Sequence, residues 1–303
     1  FFGAESIKWR PRVTMSVRMT VSSPAPALSR ERILTVARSL PAAPQVLAEL
    51  GELLQDTNAD LDQVSDLLRR DAALAARVIR IGNSPAFGGN ALASVEEAVN
   101  RVGFGEIFRL VGLATTARLA DRALVCYGLE ADAFRANALL HALAAEALAR
   151  ETDIEPRVAY AAGLMRGVGM IVLDRLMRDG QASQARYDVA GAAGYAAWEG
   201  SVVALSNTEV AAVILSEWRF PKEVVEGVRE HYLNGVGRRG SRLAVLLNAA
   251  GVITASAGQA LVGETSYWTF SASHQAELGL DDVAFARAAE AATVAFERLK
   301  PTL

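Results

Sequence analysis

Residues 134–149 read FRANALLHALAAEALA, a stretch rich in alanine and leucine that contains neither proline nor glycine. Alanine favours the helix more than any other residue, and its small side chain lets a neighbouring helix approach closely. The stretch therefore predicts a tightly packed helix near the start of a helical domain.

Apolar residues continue at helical spacing on both sides of this stretch, from a linker at residues 22–26 to about residue 258. Ser94 and Glu97 form a capping-box pattern, and Gly103 separates the helix that follows from the next one. Pro156 opens a helix that is predicted to run through Leu176. The further predicted helix starts are at Asn207 or Thr208, at Pro221 and at Ser241. The pattern predicts an all-α fold.

Residues 243–263 contain no charged side chain and are long enough to cross a bilayer as a helix. Polar residues and glycines interrupt the stretch, and it contains few large aliphatic residues after Leu247. We therefore interpret it as a buried core helix and expect no membrane partner.

Residues 7–22 alternate between apolar and polar side chains, which is the period of a strand. Pro11 at an apolar position favours an edge strand or a β arm, which would pair with a second copy or with residues 267–270. An equally open interpretation is that Met15 or Met19 is the natural start. The basic residues on the polar side, and the candidate contacts with an anion or nucleic acid, are Lys8, Arg10, Arg12 and Arg18.

The chain has 31 basic and 34 acidic residues in 303, so its net charge does not favour nucleic acid or membrane as a general partner. Its one cysteine, Cys126, cannot form an internal disulfide bond. With no secretory signal, this indicates a reducing, cytoplasmic location. We interpret Cys126 as a small buried residue.

Five short strings resemble, in order, the HDOD domains, which are HD-related output domains of bacterial signalling proteins. Residues 40–44 resemble the family's opening Leu-Pro-x-x-Pro, and residues 67–74 its Ile-x-x-Asp-Pro-x-Leu element, with Ala72 in place of the proline. Residues 80–87 resemble the Asn-Ser-x-x-aromatic signature, residues 161–165 the Gly-Leu-Leu string and residues 218–221 the Trp-x-x-Pro string. The matching residues are Pro41, Pro44, Asp71, Asn83, Ser84, Phe87, Gly163, Trp218 and Pro221.

The resemblance also permits a comparison with catalytic HD and HD-GYP phosphohydrolases, in which histidines and aspartates hold metal ions. It implies that His141 stands at the first ligand position and that Arg166 and Gly167 replace the His-Asp pair. Asn207 falls near a later histidine, His231 and Tyr232 stand where a His-His can occur, and Asn248 or Ala250 holds the place of the last aspartate. A metal site needs several lone-pair donors that converge. We therefore predict no metal, no cofactor and no catalytic residue.

The residues of this vestigial HD pocket allow several interpretations. His141 lies among leucines and is expected to be a hydrogen-bonded core histidine. Arg166, if buried, would substitute for the metal charge and would need an anionic partner, for which Glu146 and Glu209 are the candidates. An alternative hypothesis is that Arg166 and His231 capture a phosphate or a nucleotide.

The resulting prediction is an arm and linker at residues 1–28, a helical bundle at 29–128, a degenerate HD-like bundle at 129–260 and a C-terminal extension at 261–303. The resemblance implies a non-enzymatic signalling module that binds another signalling protein, with a homodimer through the arm as a further possibility. The groove between the two bundles and the N-terminal arm are the expected binding surfaces. Two alternatives remain open: a residual metal-dependent phosphohydrolase or nucleotide sensor, and nucleic-acid binding by the basic arm.

Overall fold

The computed structural model describes residues 28–41, 43–56, 58–87, 91–180, 182–191, 193–233 and 240–303. Across these residues the fold is all-α, as the sequence predicts, with one isolated bridge between Leu124 and Leu129 and no strand. The proposed β arm and its four basic residues lie outside the described residues. Residues 267–270, its suggested pairing partner, contain the end of a 3₁₀ turn and no strand.

The helices of the first half are α1 (Arg30–Arg38), α2 (Ala43–Leu53), α3 (Leu61–Arg69), α4 (Ala72–Gly82) and α5 (Val95–Leu119). The helices of the second half are α6 (Ala131–Ala149), α7 (Pro156–Met165), α8 (Val168–Arg178), α9 (Tyr195–Val203), α10 (Asn207–Glu217), α11 (Lys222–Glu230), α12 (Arg242–Ser256), α13 (Ala272–Leu278) and α14 (Asp282–Leu299).

Helix α5 begins after Ser94 and is interrupted at Gly103, the two positions that the sequence indicates. The Ser94 hydroxyl accepts a hydrogen bond from the Glu97 N–H at 3.2 Å. The Glu97 carboxylate accepts from the Ala93 N–H instead of the Ser94 N–H, so only half of the predicted capping box forms. Gly103 has a φ of 80°, a left-handed conformation that suits glycine and interrupts the helix.

Helix α6 forms the centre of the second half and packs against α7, α12 and α14. The approach of α7 is close, because a Cβ added to Gly163 would lie 2.8 Å from the Ala142 Cα. The prediction of one helix from residue 156 to 176 is wrong. Helices α7 and α8 are separate and meet at Arg166 and Gly167. Both residues of this junction are buried.

Two other predicted helix starts also differ in the structure. Ser206, not Asn207 or Thr208, caps α10, because its hydroxyl accepts from the Glu209 N–H while the Glu209 carboxylate accepts from the Ser206 N–H. Pro221 is the N-cap of α11 and precedes its first turn. Ser241 caps α12 as predicted.

The uncharged stretch forms the buried helix α12 that the sequence predicts. Within the described part of the chain, no helix combines the length and the apolar character that crossing a membrane requires. Cys126 is buried, as expected, and its burial raises the pKa of the thiol to about 11.

The two halves contact each other through several helices. Helix α1 packs against α8 and α10, and Arg38 pairs with Glu217 at 2.7 Å. Helix α7 also packs against α2 and α5. The division into two bundles at residues 128 and 129 stays a prediction.

Candidate functional site: the vestigial HD pocket

The residues of the pocket come from six places in the fold, five of them predicted from the sequence. His141 lies in α6, and Arg166 and Gly167 lie at the junction of α7 and α8. Asn207 begins α10, and His231 and Tyr232 follow α11. The pocket is closed by Asn248 and Ala250 of α12 and by Glu264 and Trp268 of the segment after it. Arg166, Asn207, His231, Tyr232 and Glu264 are all buried.

Arg166 forms a buried ion pair at the centre of this pocket. Its Nη1 donates to Oε1 of Glu264 at 2.6 Å, and the two side chains are 3% and 0% exposed. Its Nη2 donates to the Asn137 side-chain oxygen, and its guanidinium lies 5.3 Å from the centre of the Trp268 ring. Tyr232 also donates to the same Glu264 oxygen, at 2.6 Å. A carboxylate in so apolar a setting requires these charged and polar donors.

The expected partners of Arg166 were wrong. Glu146 accepts from Arg109 at 2.7 Å and from Arg150 at 2.8 Å, on another side of α6. Glu209 caps α10. The true partner, Glu264, follows the uncharged stretch and is the only acidic residue between Glu230 and Glu277. That isolation is a sequence signal which could have identified it.

Gly167 leaves no room for the aspartate of an HD pair. A Cβ added to Gly167 would lie 2.7 Å from Cζ of Phe134, closer than carbon atoms approach in folded proteins. Phe134 is itself buried in α6. The space of the former ligand is therefore filled by an aromatic ring.

Asn207 is fixed by a second buried carboxylate, Glu199 of α9. Glu199 accepts from the Asn207 N–H at 2.6 Å, from the Asn207 side-chain amide at 2.9 and 3.0 Å, and from the Tyr127 hydroxyl at 2.6 Å. Burial raises the pKa of Glu199 to about 7, against the opposite effect of these donors. The Tyr232 hydroxyl lies 3.5 Å from the Asn207 side-chain oxygen, which joins the two carboxylate networks.

The two pocket histidines are neutral. Burial is the main cause that lowers the pKa of His231 to about 3, and the charge of Arg166 is the second. The same two causes, in the same order, hold the pKa of His141 well below its ordinary value, with the Leu247 backbone acting weakly the other way. Nδ1 of His231 lies 2.6 Å from the Val228 carbonyl oxygen, to which it donates in the neutral ring.

The other histidine nitrogens make no regular hydrogen bond to any described residue. His141 is buried in the core as expected, and the Leu247 backbone is its hydrogen-bonding neighbour there. Its ring packs 5.5 Å from that of Trp268, and the His231 ring lies 5.8 Å from the same indole.

Asn248, at the place of the last aspartate, uses its side chain to bind backbone groups of neighbouring segments. Its amide donates to the backbone carbonyls of His231 at 2.9 Å and Tyr267 at 2.7 Å, and its oxygen accepts from the Thr269 N–H at 3.0 Å. These bonds hold the segment that carries Glu264 and Trp268 against α12. Ala250 is fully buried and offers no donor atom.

The residues present do not fit a metal ion. The described residues contain no group of three or more His, Cys, Asp or Glu side chains in an arrangement that could hold one. The charge of Arg166 acts on both His141 and His231 and lowers the pKa of each, so it also disfavours a cation beside these rings. We derive no reaction step through a metal at this place.

The remaining residues of the family signature hold turns and helix ends. Asp71 caps α4, and the Asn83 amide group bonds both backbone groups of Leu92 at 2.6 and 3.1 Å. The Ser84 hydroxyl makes no hydrogen bond within the described residues. Half-buried Phe87 lies under the Arg298 guanidinium at 5.5 Å.

The other signature strings lie at the ends of α2 and α10. Pro41 and Pro44 stand at the start of α2, and Pro44 is its second residue. Trp218 is buried at the end of α10, and Arg219 after it has a φ of 60°, a left-handed conformation that turns the chain toward Pro221 and α11. Sequence reasoning missed Asn137, Glu199, Glu264 and Trp268 as members of the pocket.

The fold and the pocket together define an all-α, HD-related protein whose His-Asp pair is absent. A family model described as "HDOD domain" matches residues 40–233. The chain therefore belongs to the HDOD domain family, and the resemblance inferred from the sequence is confirmed. No curated protein sequence matches this chain.

Solved structures support the same fold. An HDOD domain protein of unknown function from Geobacter sulfurreducens is 19% identical, with a TM-score of 0.64 over 90% of this chain and 98% of that one. A protein provisionally assigned as a phosphohydrolase from Shewanella amazonensis is 21% identical, with a TM-score of 0.62 over 89% and 97%.

A third structure is a provisionally assigned signal transduction protein from Marinobacter aquaeolei. It is 18% identical to this chain, with a TM-score of 0.59 over 89% of this chain and 65% of that one. At these identities, the three likenesses describe the fold alone.

Proposed function

We propose that this protein is a non-catalytic signalling module that acts by binding another protein. The observation that carries the proposal is the Arg166–Glu264 ion pair at the centre of the former metal pocket. Arg166 places a guanidinium where HD phosphohydrolases hold a metal ion, Glu264 neutralises its charge, and the further partners Asn137 and Tyr232 anchor the pair to the surrounding helices. The role of the pocket is then structural, because these contacts connect the surrounding helices.

The groove between the two halves supports a binding role. A cavity of about 400 Å³ opens between α2 and the end of α10 and is lined by Glu49, Glu52, Glu217, Trp218 and Arg219, among others. A more apolar depression continues from its wall between α2, α5, α7 and α11. Two of the family's strings, at the start of α2 and the end of α10, therefore lie beside one groove.

The catalytic side of the proposal can be tested by metal analysis and turnover. The protein, purified without chelator, is incubated with Mn²⁺ or Mg²⁺ and with model phosphomonoesters and phosphodiesters. We expect substoichiometric metal and the same background rate in the wild type and in a His141→Ala/His231→Ala variant. Metal-dependent turnover that the double variant loses would refute the proposal.

The binding side can be tested by site-specific crosslinking. A photoreactive residue at Glu52, which borders both parts of the groove, is compared with one at Glu277, an exposed glutamate on α13. We expect a discrete crosslinked protein from the host extract at Glu52 and none at Glu277. Equal labelling at the two positions would argue against the groove as the binding surface.

A further inference from the structure

A second concentration of charge lies away from the vestigial pocket, on α4. Arg77 and Arg80 are three residues apart and so share one side of the helix. Arg77 is half-buried and Arg80 is exposed. No carboxylate of the described part of the chain pairs with either side chain, although most other half-buried arginines of this protein have such a partner.

Two further arginines stand near this pair. Arg118 of α5 binds Asp71, the N-cap residue of α4. Arg135 of α6 binds Asp132 and donates to the Ala120 carbonyl at 2.6 Å. The four guanidinium groups are thus accompanied by two carboxylates, which leaves two positive charges uncompensated within the cluster.

Hydrogen bonding in the cluster is also incomplete. Nε of Arg77 and Nε of Arg135 are both buried, and neither donates to any residue that the structure describes. A buried N–H without an acceptor costs free energy, and native proteins contain few of them. The chain itself therefore leaves part of the hydrogen-bonding capacity of this basic cluster unused.

The electrostatic environment of Arg77 is uniformly positive. Burial lowers the pKa of Arg77 below its ordinary value, and the charges of Arg80, Arg135 and Arg118 all act in the same direction. No acidic group contributes an opposing effect. The folded protein therefore holds this guanidinium at a cost in stability, as binding residues commonly are held.

We propose that Arg77, Arg80, Arg118 and Arg135 form a binding site for the phosphate group of a small phosphorylated ligand. A phosphate dianion matches the two uncompensated charges, and its several oxygens can accept from more than one guanidinium group. A single carboxylate has one charge and two oxygens, so it would satisfy the cluster less well. The site is additional to the protein-binding function proposed above and does not depend on it.

The surroundings favour a small ligand over a nucleic acid. A nucleic acid backbone needs basic residues along an extended track. Here the cluster is bordered by Asp132, whose side chain is 89% exposed, and by exposed Asp121. These carboxylates would repel neighbouring phosphates of a polymer, whereas one compact phosphate group avoids them.

The location gives the site a structural effect. Arg77, Arg80 and Arg118 belong to α4 and α5, whereas Arg135 belongs to α6 at the start of the second half. A phosphate group held by all four would cross-link the two halves near the connection at residues 120–130. Ligand binding would then stabilise one relative position of the halves.

The test uses inorganic phosphate, pyrophosphate and ATP as probes, at constant ionic strength with sodium chloride as reference. Melting temperature and calorimetric affinity are measured for the wild type and Arg77→Gln. The matched control is Arg229→Gln, which removes the same charge from an exposed arginine of α11 without an ion pair among the described residues. Circular dichroism verifies the fold of each variant, and Arg80→Gln serves as an independent second variant.

We expect at least one probe to raise the wild-type melting temperature beyond the chloride reference. Arg77→Gln should weaken that binding by about 10- to 100-fold, the effect of one charge-assisted contact. Its ligand-free melting temperature should be above that of the wild type, because repulsion is relieved. Arg229→Gln should change neither property. The relative responses to phosphate, pyrophosphate and ATP distinguish free phosphate from a nucleotide as the source.

The proposal is overturned if no probe stabilises the wild type, or if Arg77→Gln and Arg80→Gln bind the probes as the wild type does. It is also overturned if Arg77→Gln melts below Arg229→Gln without ligand, since Arg77 would then be a structural residue. None of these outcomes affects the turnover and crosslinking tests above, so the two proposals fail separately.

Discussion

Arg166 and Arg77 are arginines with opposite surroundings. Arg166 is almost completely buried and pairs with Glu264, a carboxylate that is fully buried as well. Arg77 is half-buried among three other arginines and has no carboxylate partner in the described part of the chain. The charge of Arg166 is neutralised inside the protein by Glu264, whereas the charge of Arg77 remains available to a ligand.

Burial alone does not distinguish a structural charge from a binding charge. The number of partners inside the protein distinguishes the two kinds of charge. Arg166 has Glu264, Asn137 and the Trp268 ring, so removing it leaves a buried anion without compensation. Removing Arg77 leaves no such group behind. The two substitutions should therefore change stability in opposite directions.

The largest expected effect comes from breaking the buried pair. Arg166→Met should lower the free energy of unfolding by about 3–5 kcal/mol, because Glu264 is left buried and unpaired. Adding Glu264→Gln should recover a large part of the loss, since the amide oxygen still accepts from Tyr232. Urea unfolding of the two single variants and the double variant measures this coupling. Additive losses would show that the two side chains act independently.

The second effect concerns pH. The pKa of His231 is about 3 in the folded protein, below its ordinary value of 6.5, so the unfolded chain binds the extra proton between these values. The contribution to stability is fully present above pH 6.5 and is lost as the pH falls toward 3.

We therefore expect the wild type to lose about 2 kcal/mol more than His231→Phe between pH 6.5 and 4.5. Glu199, whose raised pKa acts in the opposite direction, is present in both proteins and cancels in the difference. Parallel pH profiles of urea unfolding would contradict a neutral, buried His231.

A smaller effect is expected where the HD aspartate would stand. Gly167→Ala should cost about 1–3 kcal/mol, because the new Cβ meets the Phe134 ring. The control is Gly200→Ala in α9, where nothing lies within 4 Å of the new Cβ and the helix should gain up to about 1 kcal/mol. Thermal unfolding compares the two, and equal shifts would remove the steric argument.

The smallest effect should follow removal of a surface pair. Arg242 binds Asp153 at 2.5 Å, with both side chains largely in solvent. Arg242→Gln should change the free energy of unfolding by less than about 1 kcal/mol. A loss as large as that of Arg166→Met would mean that burial does not determine the value of an ion pair in this protein.

The sequence predicted those features that depend on local pattern. The periodicity of apolar residues predicted the all-α fold and the buried helix α12, and Ser241 predicted where that helix begins. It failed at residues 156–176, where the pattern is helical throughout. The stretch divides into α7 and α8 at Arg166 and Gly167, and Gly167, the N-cap residue of α8, is the local signal that could have marked the division.

The content of the pocket was harder to predict, because its members are distant along the chain. Arg166 and Glu264 are separated by 98 residues, so neither helical spacing nor a motif joins them. Glu199 and Asn137 were missed for a related reason. Each looks like an ordinary residue of an alanine-rich or apolar helix until the fold brings a second polar group beside it.

The ring of Phe134 against Gly167 makes positions 134 and 167 depend on each other. Any side chain at position 167 would meet the aromatic ring. A smaller residue at position 134 would make room for it, but that change alone would open a void in the core. Each substitution should therefore be destabilising by itself and less so in the presence of the other, so the two positions can change only together without a loss of stability.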